Sequence, residues 1–214
     1  QVRSLSLDLR ALGLEPGDRV VLVSENRPEW LIADLAIMAA GAITVPAYTT
    51  ALTSDHRHVL TDCGAVGVIV STQALADRVL PAVLDAPSCR WVVAMEDLRR
   101  PSAGAVPVHG WSALLEQGRD LPDDIDEVEA KAKRGDTACI IYTSGTGGAP
   151  RGVMLSHGAI LCNCMGAYKV LEHVGLGREV FLSFLPLSHA YEHTAGQFLH
   201  IALGAEISSL EWVD

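Results

Sequence analysis

Thr137-Ala138-Cys139-Ile140-Ile141-Tyr142-Thr143-Ser144-Gly145-Thr146-Gly147-Gly148-Ala149-Pro150-Arg151-Gly152-Val153-Met154-Leu155-Ser156-His157 changes character twice within a short span. The dry run Ala138 to Tyr142 reads as a buried strand, and Val153 to Leu155 as a second one. Between them lie hydroxyls and glycines, closed by a fixed cation, Arg151. Glycine opens backbone conformations that let successive N–H groups turn toward one point. Hydroxyls add rotatable donors, and a guanidinium adds a planar fork matched to phosphate oxygens. These parts suit a polyphosphate, although a plain hairpin would also use glycines. The helix-opening loop G-x-x-x-x-G-K-S/T of kinases and ATPases does not fit, because neither Gly145 nor Gly147 has Lys-Ser/Thr at the required offset.

Outward from this loop, strands alternate with helices. A first helix carries Val2, Leu5, Leu9 and Leu12 without an N-cap, and a turn at Pro16-Gly17-Asp18 leads to a strand from Arg19 to Ser24. Pro28 opens a helix through Ala40, with Gly41 at its end. Ile43 to Pro46 is a strand, and Thr53 or Ser54 caps a helix to Cys63. Strand 66–70, helix 73–84 and strand 91–95 follow. Such alternation predicts an α/β fold with layered, mostly parallel sheets flanked by helices. Residues 97–135, rich in proline and carrying Asp123-Asp124-Ile125-Asp126-Glu127, read as a surface connection with one short helix and a solvated acidic face. The chain therefore divides into a first lobe at 1–96, a connection at 97–135 and a second segment at 136–214. That segment predicts strands at 137–142, 152–155, 179–184 and 205–210, with helices at 157–173 and 191–203. Neither end carries the signals of a natural terminus, so the expectation is a piece of a longer protein.

With 49% hydrophobic and 20% charged residues among 214, the chain can bury a sizeable core. A net charge of -10 and the lack of a basic cluster argue against a nucleic-acid surface. Five cysteines form an odd set without C-x-x-C spacing, which reads as reduced core thiols in a cytoplasmic protein. The longest apolar run, Trp30 to Tyr48, is broken by Asp34, Gly41 and Pro46, so no transmembrane segment is expected.

A second cluster lies at Phe184-Leu185-Pro186-Leu187-Ser188-His189-Ala190-Tyr191-Glu192-His193. His189, Glu192 and His193 match the H-x-x-E-H pattern of one class of zinc hydrolases, with two histidines four apart on a helical face. The same residues would also serve as ordinary packing at a helix start.

The loop and its flanks resemble the signature of the adenylate-forming enzymes, the acyl-CoA synthetase and luciferase superfamily, which runs Y/F-T-S-G-T-T-G-x-P-K-G-V before a serine-histidine pair. Tyr142, Thr143, Ser144, Gly145, Thr146, Gly148, Pro150, Gly152, Val153, Ser156 and His157 match; Gly147 and Arg151 stand where threonine and lysine are usual. The string Ser24-Glu25-Asn26-Arg27-Pro28-Glu29-Trp30 is similar to the opening of long-chain fatty acid–CoA ligases and reads as scaffolding, and Pro186 to His189 fits their P-x-x-H. This resemblance places the chain in the large N-terminal domain of such an enzyme. It implies ATP-dependent activation of a long-chain fatty acid to acyl-adenylate and then acyl-CoA, with Mg2+ required. Ser144, Gly145, Thr146, Gly147, Gly148 and Arg151 would hold phosphates, Thr143 would also contact Mg2+, and His189, Glu192 and His193 would lie at the acyl substrate, His189 as the catalytic residue. The resemblance implies fatty acid, ATP and coenzyme A as partners of the full parent, and leaves room for a homodimer or peripheral membrane association. The adenine-, ribose- and CoA-binding segments of the family have no counterpart here, so the chain alone is expected to be inactive. Another carboxylic acid (aryl, medium-chain or carrier-linked), and a non-catalytic nucleotide-binding homologue, remain the rival readings.

Overall fold

In the computed structural model, which describes residues 1–99, 103–143, 149–174 and 179–209, one sheet runs through most of the chain. Its strands are β1 (Arg19–Val23), β2 (Ile43–Ala47), β3 (Gly67–Val70), β4 (Trp91–Ala94), β5 (Val108–Gly110), β6 (Thr137–Thr143) and β7 (Arg151–Ser156), in the order β5-β4-β3-β1-β2-β6-β7. All neighbours are parallel except β6 and β7, which form the antiparallel pair around the loop. Strands covered on both faces must be apolar throughout, and β3 and β4 are buried at every residue.

Alternation within β1 divides the core. Val20 and Leu22 face α1 (Val2–Ala11) and α2 (Pro28–Ala39), where Leu5, Leu9, Trp30 and Ile37 pack. Val21 and Val23 face α3 (Thr53–Asp62) and α4 (Gln73–Val83), against Leu60 and Val79. Pro28 sits in the first turn of α2, where its missing N–H costs nothing, and Gly41 follows the helix at φ 78. A third cluster joins Cys139 and Ile141 of β6 to Ile160 and Cys164 of α7 (His157–Leu171). Because β6 lies beside β2, the second segment extends the sheet of the first.

Several expectations change. Residues 97–135 contribute the edge strand β5 and two helices, α5 (Trp111–Gln117) and α6 (Ile125–Glu129), in place of one. The acidic run is tied to α1: Arg3 bonds Asp123 and Asp126 at 2.7 and 2.8 Å, Arg10 pairs with Asp124, and Ile125 between them is buried. The run stays largely exposed, as its charge suggests, and cations of α1, distant in sequence, also meet it. α3 is capped from Leu52, whose N–H donates to Asp55, and neither Thr53 nor Ser54 caps it. Helix 191–203 is a π-helix at Glu192–Phe198 followed by α8 (Leu199–Leu203). A separate parallel pair, β8 (Val180–Ser183) and β9 (Glu206–Ser209), flanks it. All five cysteines are free, but Cys162 is exposed while Cys164 is buried, as side chains two apart on a helix must diverge. Burial pushes the Cys63 and Cys89 thiols up to about 11, which keeps them protonated and unreactive.

Leu22 is fully buried at the centre of the sheet. Truncating it to alanine is expected to cost about 2–5 kcal/mol, read as a lower urea midpoint at unchanged slope.

Candidate active site

Parallel strands deliver their carboxyl ends to one edge of a sheet, and the order of strands reverses between β1 and β3, where such folds receive ligands. Ser24, Glu25 and Asn26 leave β1 at this edge, Thr49 and Thr50 follow β2, and Thr143 ends β6. A cavity of about 500 Å³ opens here, lined by Glu25, Asn26, Thr49, Arg78, Pro186 and Ser188 among others. Thr143, which precedes the loop, and the Pro186–Ser188 segment thus lie toward the same edge.

Ser144 to Gly148 lie outside the described residues; their flanks are described. Thr143 and Arg151 are register partners across β6 and β7, and both are exposed. The Arg151 guanidinium makes no hydrogen bond or ion pair with another described residue. One pair earlier, Gly152 stands opposite Tyr142. A Cβ on Gly152 would come within 2.7 Å of Ile140 and 3.2 Å of the Tyr142 ring, so only glycine lets that ring lie across β7. Burial and then the hydrogen bond to Asp62 raise the Tyr142 pKa, so the phenol remains a donor.

The histidine segment is gripped by the first lobe. Asn26 donates through Nδ2 to the Leu185 carbonyl at 2.6 Å and to Ser183 Oγ at 3.2 Å, and its Oδ1 accepts from Leu187 N–H at 3.0 Å. Ser183 Oγ passes the chain on by donating to Glu192 at 2.7 Å. Within the Ser24–Trp30 scaffold, Asn26 therefore aims the segment that ends in His189. Its neighbours support the turn, Glu25 accepting from Ser71 and Thr72, and Arg27 bonding Glu29 and Glu96.

His189, Glu192 and His193 separate. His189 is exposed, and its Nδ1 accepts the Tyr191 N–H at 3.2 Å. Glu192 is buried on Ser183, with its carboxyl against Gly196, where a Cβ would come within 2.5 Å. His193 and Asp34 are both 0% exposed; His193 Nε2 donates to Asp34 Oδ2 at 3.0 Å, while Nδ1 lies 3.7 Å from Cys139 Sγ. Gln197 adds a second donor to the same Asp34 oxygen at 2.7 Å. His193 and Gln197 stand four apart, hence on one helical face, which lets both reach one carboxylate. Burial alone would lower the His193 pKa, but the Asp34 charge and hydrogen bond outweigh it and raise it, so the ring is held as a cation. With both ring nitrogens of His193 engaged by protein, His189 and His193 do not offer the paired ligands of a zinc hydrolase.

Sequence reasoning misses Asp34, Gln197 and Asn26 as site residues. A signal exists for Asp34: a carboxylate inside an apolar helix must find a donor. Nothing local to Gln197 marks it.

Residues 1–212 match the model of the AMP-binding enzyme family. The chain belongs to that family. This AMP-binding chain is 36% identical over 190 residues to the long-chain-fatty-acid–CoA ligase FadD15 of Mycobacterium tuberculosis, covering 88% of the chain and 30% of that protein. It is 34% identical over 200 residues to the peroxisomal long chain acyl-CoA synthetase 6 of Arabidopsis thaliana, covering 91% of the chain and 27% of that protein. The N-terminal domain of FACL13 from Mycobacterium tuberculosis superposes with a TM-score of 0.76 at 25% identity, over 100% of the chain and 49% of that domain's chain. The AMP-binding chain thus spans under a third of the length of these curated relatives. The resemblance to the adenylate-forming enzymes, and the mostly parallel α/β fold read from the alternation of strands and helices, are both borne out. No helix among the described residues is long and apolar enough to cross a membrane.

Asp34→Asn is expected to destabilise the chain by about 3 kcal/mol or more, because it leaves a charged ring buried without its counter-ion. The wild-type pair contributes in full below the ordinary histidine value of about 6.5, and its contribution declines as pH rises from there through the raised folded value. Melting temperatures between pH 6 and 9 check this: the alkaline decline should flatten in Asp34→Asn.

Proposed function

We propose that the parent protein activates a long-chain fatty acid with ATP and transfers it to coenzyme A. The observation that carries this reading is the pairing of exposed Thr143 with exposed Arg151, which has no partner among the described residues, on either side of the hydroxyl- and glycine-rich loop. A fixed cation left without a counter-charge among the described residues, at the start of β7 and opposite the carboxyl end of β6, is suited to phosphate oxygens.

In the first step a carboxylate oxygen attacks the α-phosphorus of ATP, the bond to the β-phosphate oxygen breaks, and pyrophosphate leaves with acyl-adenylate behind. In the second, the coenzyme A thiolate attacks the acyl carbon and AMP departs. Negative charge moves between oxygens in both steps, so positioned donors matter more than a protein nucleophile. Ser144 to Gly148 and Arg151 would hold the leaving pyrophosphate. The Thr143 hydroxyl, exposed beside them, fits a hard oxygen-seeking cation, and Mg2+ there would neutralise phosphate charge. His189 is the accessible member of its cluster and would meet the acyl carboxylate; Glu192 and His193, both buried, would act by holding the π-helix in place. A cytoplasmic setting belongs to the same reading, supported by the odd cysteine count.

A long apolar acid is favoured by two cavities of about 310 Å³ each along the π-helix, which share Tyr191, Ala195 and Leu199. Another carboxylic acid would use the same adenylation step. The activity is proposed for the whole parent, and the 214-residue chain alone is expected to form no acyl-CoA.

Pyrophosphate exchange with palmitate in the full-length parent tests this. Arg151→Ala should slow exchange at least about tenfold, with Arg151→Lys intermediate because it keeps charge but not the fork. Exchange unchanged in Arg151→Ala would remove the phosphate role from this loop.

A further inference from the structure

The two flanks of the loop are held by one helix that belongs to neither sequence motif. On the β6 side, the Tyr142 phenol donates to Asp62 Oδ2 at 2.5 Å. On the β7 side, His58 Nε2 lies 2.8 Å from the Pro150 carbonyl; a carbonyl only accepts, so Nε2 carries the proton. His58 and Asp62 stand four apart on α3, hence on one face. The His58 and Tyr142 rings meet edge to face, with centroids 5.9 Å apart at 84°, which links the two contacts into one unit. Gly152 leaves the space beneath the phenol that this arrangement needs. The helix is itself secured by Arg57, which pairs with Asp85 at 2.7 Å beyond α4.

We infer that α3 braces the loop at both flanks, and that His58 and Asp62 are positioning residues for nucleotide binding. The inference rests on the phosphate reading of the loop given above. Tyr142 and Pro150 are the immediate neighbours of Thr143 and Arg151, so the helix sets where the hydroxyl and the guanidinium stand. His58 and Asp62 act through these neighbours and not on the substrate itself. Small displacements of such groups weaken alignment with a phosphate out of proportion to the contact removed. The brace holds the flanks through two different bonds to one rigid element, so loosening either should shift the same property.

Calorimetric titration of the full-length parent with MgATP, alongside pyrophosphate exchange, tests this. His58→Ala should weaken ATP affinity and raise the ATP KM about fivefold, the change that follows from one lost ordinary hydrogen bond, with the KM for the acid unchanged. His58→Gln, whose amide N–H can still donate to a carbonyl, should recover most of that loss. Tyr142→Phe, which deletes only the phenol oxygen, should give a loss of similar size if the first variant proves too unstable to assay. A merely structural role would lower the melting temperature and leave the ATP constants alone. Unchanged ATP affinity in both His58→Ala and Tyr142→Phe overturns the inference while the proposed function stands. An unsubstituted parent that neither binds ATP nor exchanges pyrophosphate overturns both.

Discussion

A carboxylate shut away from water has to be met by donors, and Asp34 draws both of its donors from a helix that begins more than 150 residues later. His193 and Gln197, four apart on one face of that helix, both donate to its Oδ2, so the carboxylate fixes where that segment sits. Asn26 adds a second fixed point, holding the approach to the π-helix through three hydrogen bonds. Between them, these polar contacts define how the later part of the chain sits on the earlier sheet. Apolar packing alone would tolerate sliding; a buried ion pair and a three-bonded amide do not.

The consequence for the site is a division of labour. The parallel sheet brings the ends of β1, β2 and β6 to one edge, and the β6–β7 pair sets Thr143 against Arg151. α3 secures the flanks of the loop from one side, and Asn26 sets the histidine segment from the other. His189 is left accessible because Glu192 and His193 are consumed in holding the helix behind it. A guanidinium without a partner among the described residues and an exposed imidazole are thereby placed on a frame whose own polar groups are largely engaged with one another.

Much of this is legible in the chain. The β-branched runs of β1, β3 and β4 and the Pro28 and Gly41 punctuation specify the elements directly, because local sterics and burial decide them. The family is legible in the loop, since its ordered residue types match a signature that the family comparison bears out. The acidic run is exposed as its charge suggests, but its partners, Arg3 and Arg10, are not legible because they lie in a helix that periodicity treats only as an apolar stripe. The π-helix is invisible because an α-helical pattern and a π-helical one differ by less than a residue per turn. Asp34 itself registers only as an interruption of an apolar run. What sequence spacing conveys is local order; which charges meet across the fold depends on topology.

Burying a matched charge pair at the join between the earlier and later parts of the chain also gives that join an unusual dependence on heat. The cost of stripping water from ionised groups falls as temperature rises, whereas the benefit of apolar burial levels off. The contact between Asp34 and His193 therefore gains weight on warming relative to the aliphatic packing around it. The seam that aligns the π-helix with the sheet is built from the kind of interaction that suits a warm protein better than a cold one.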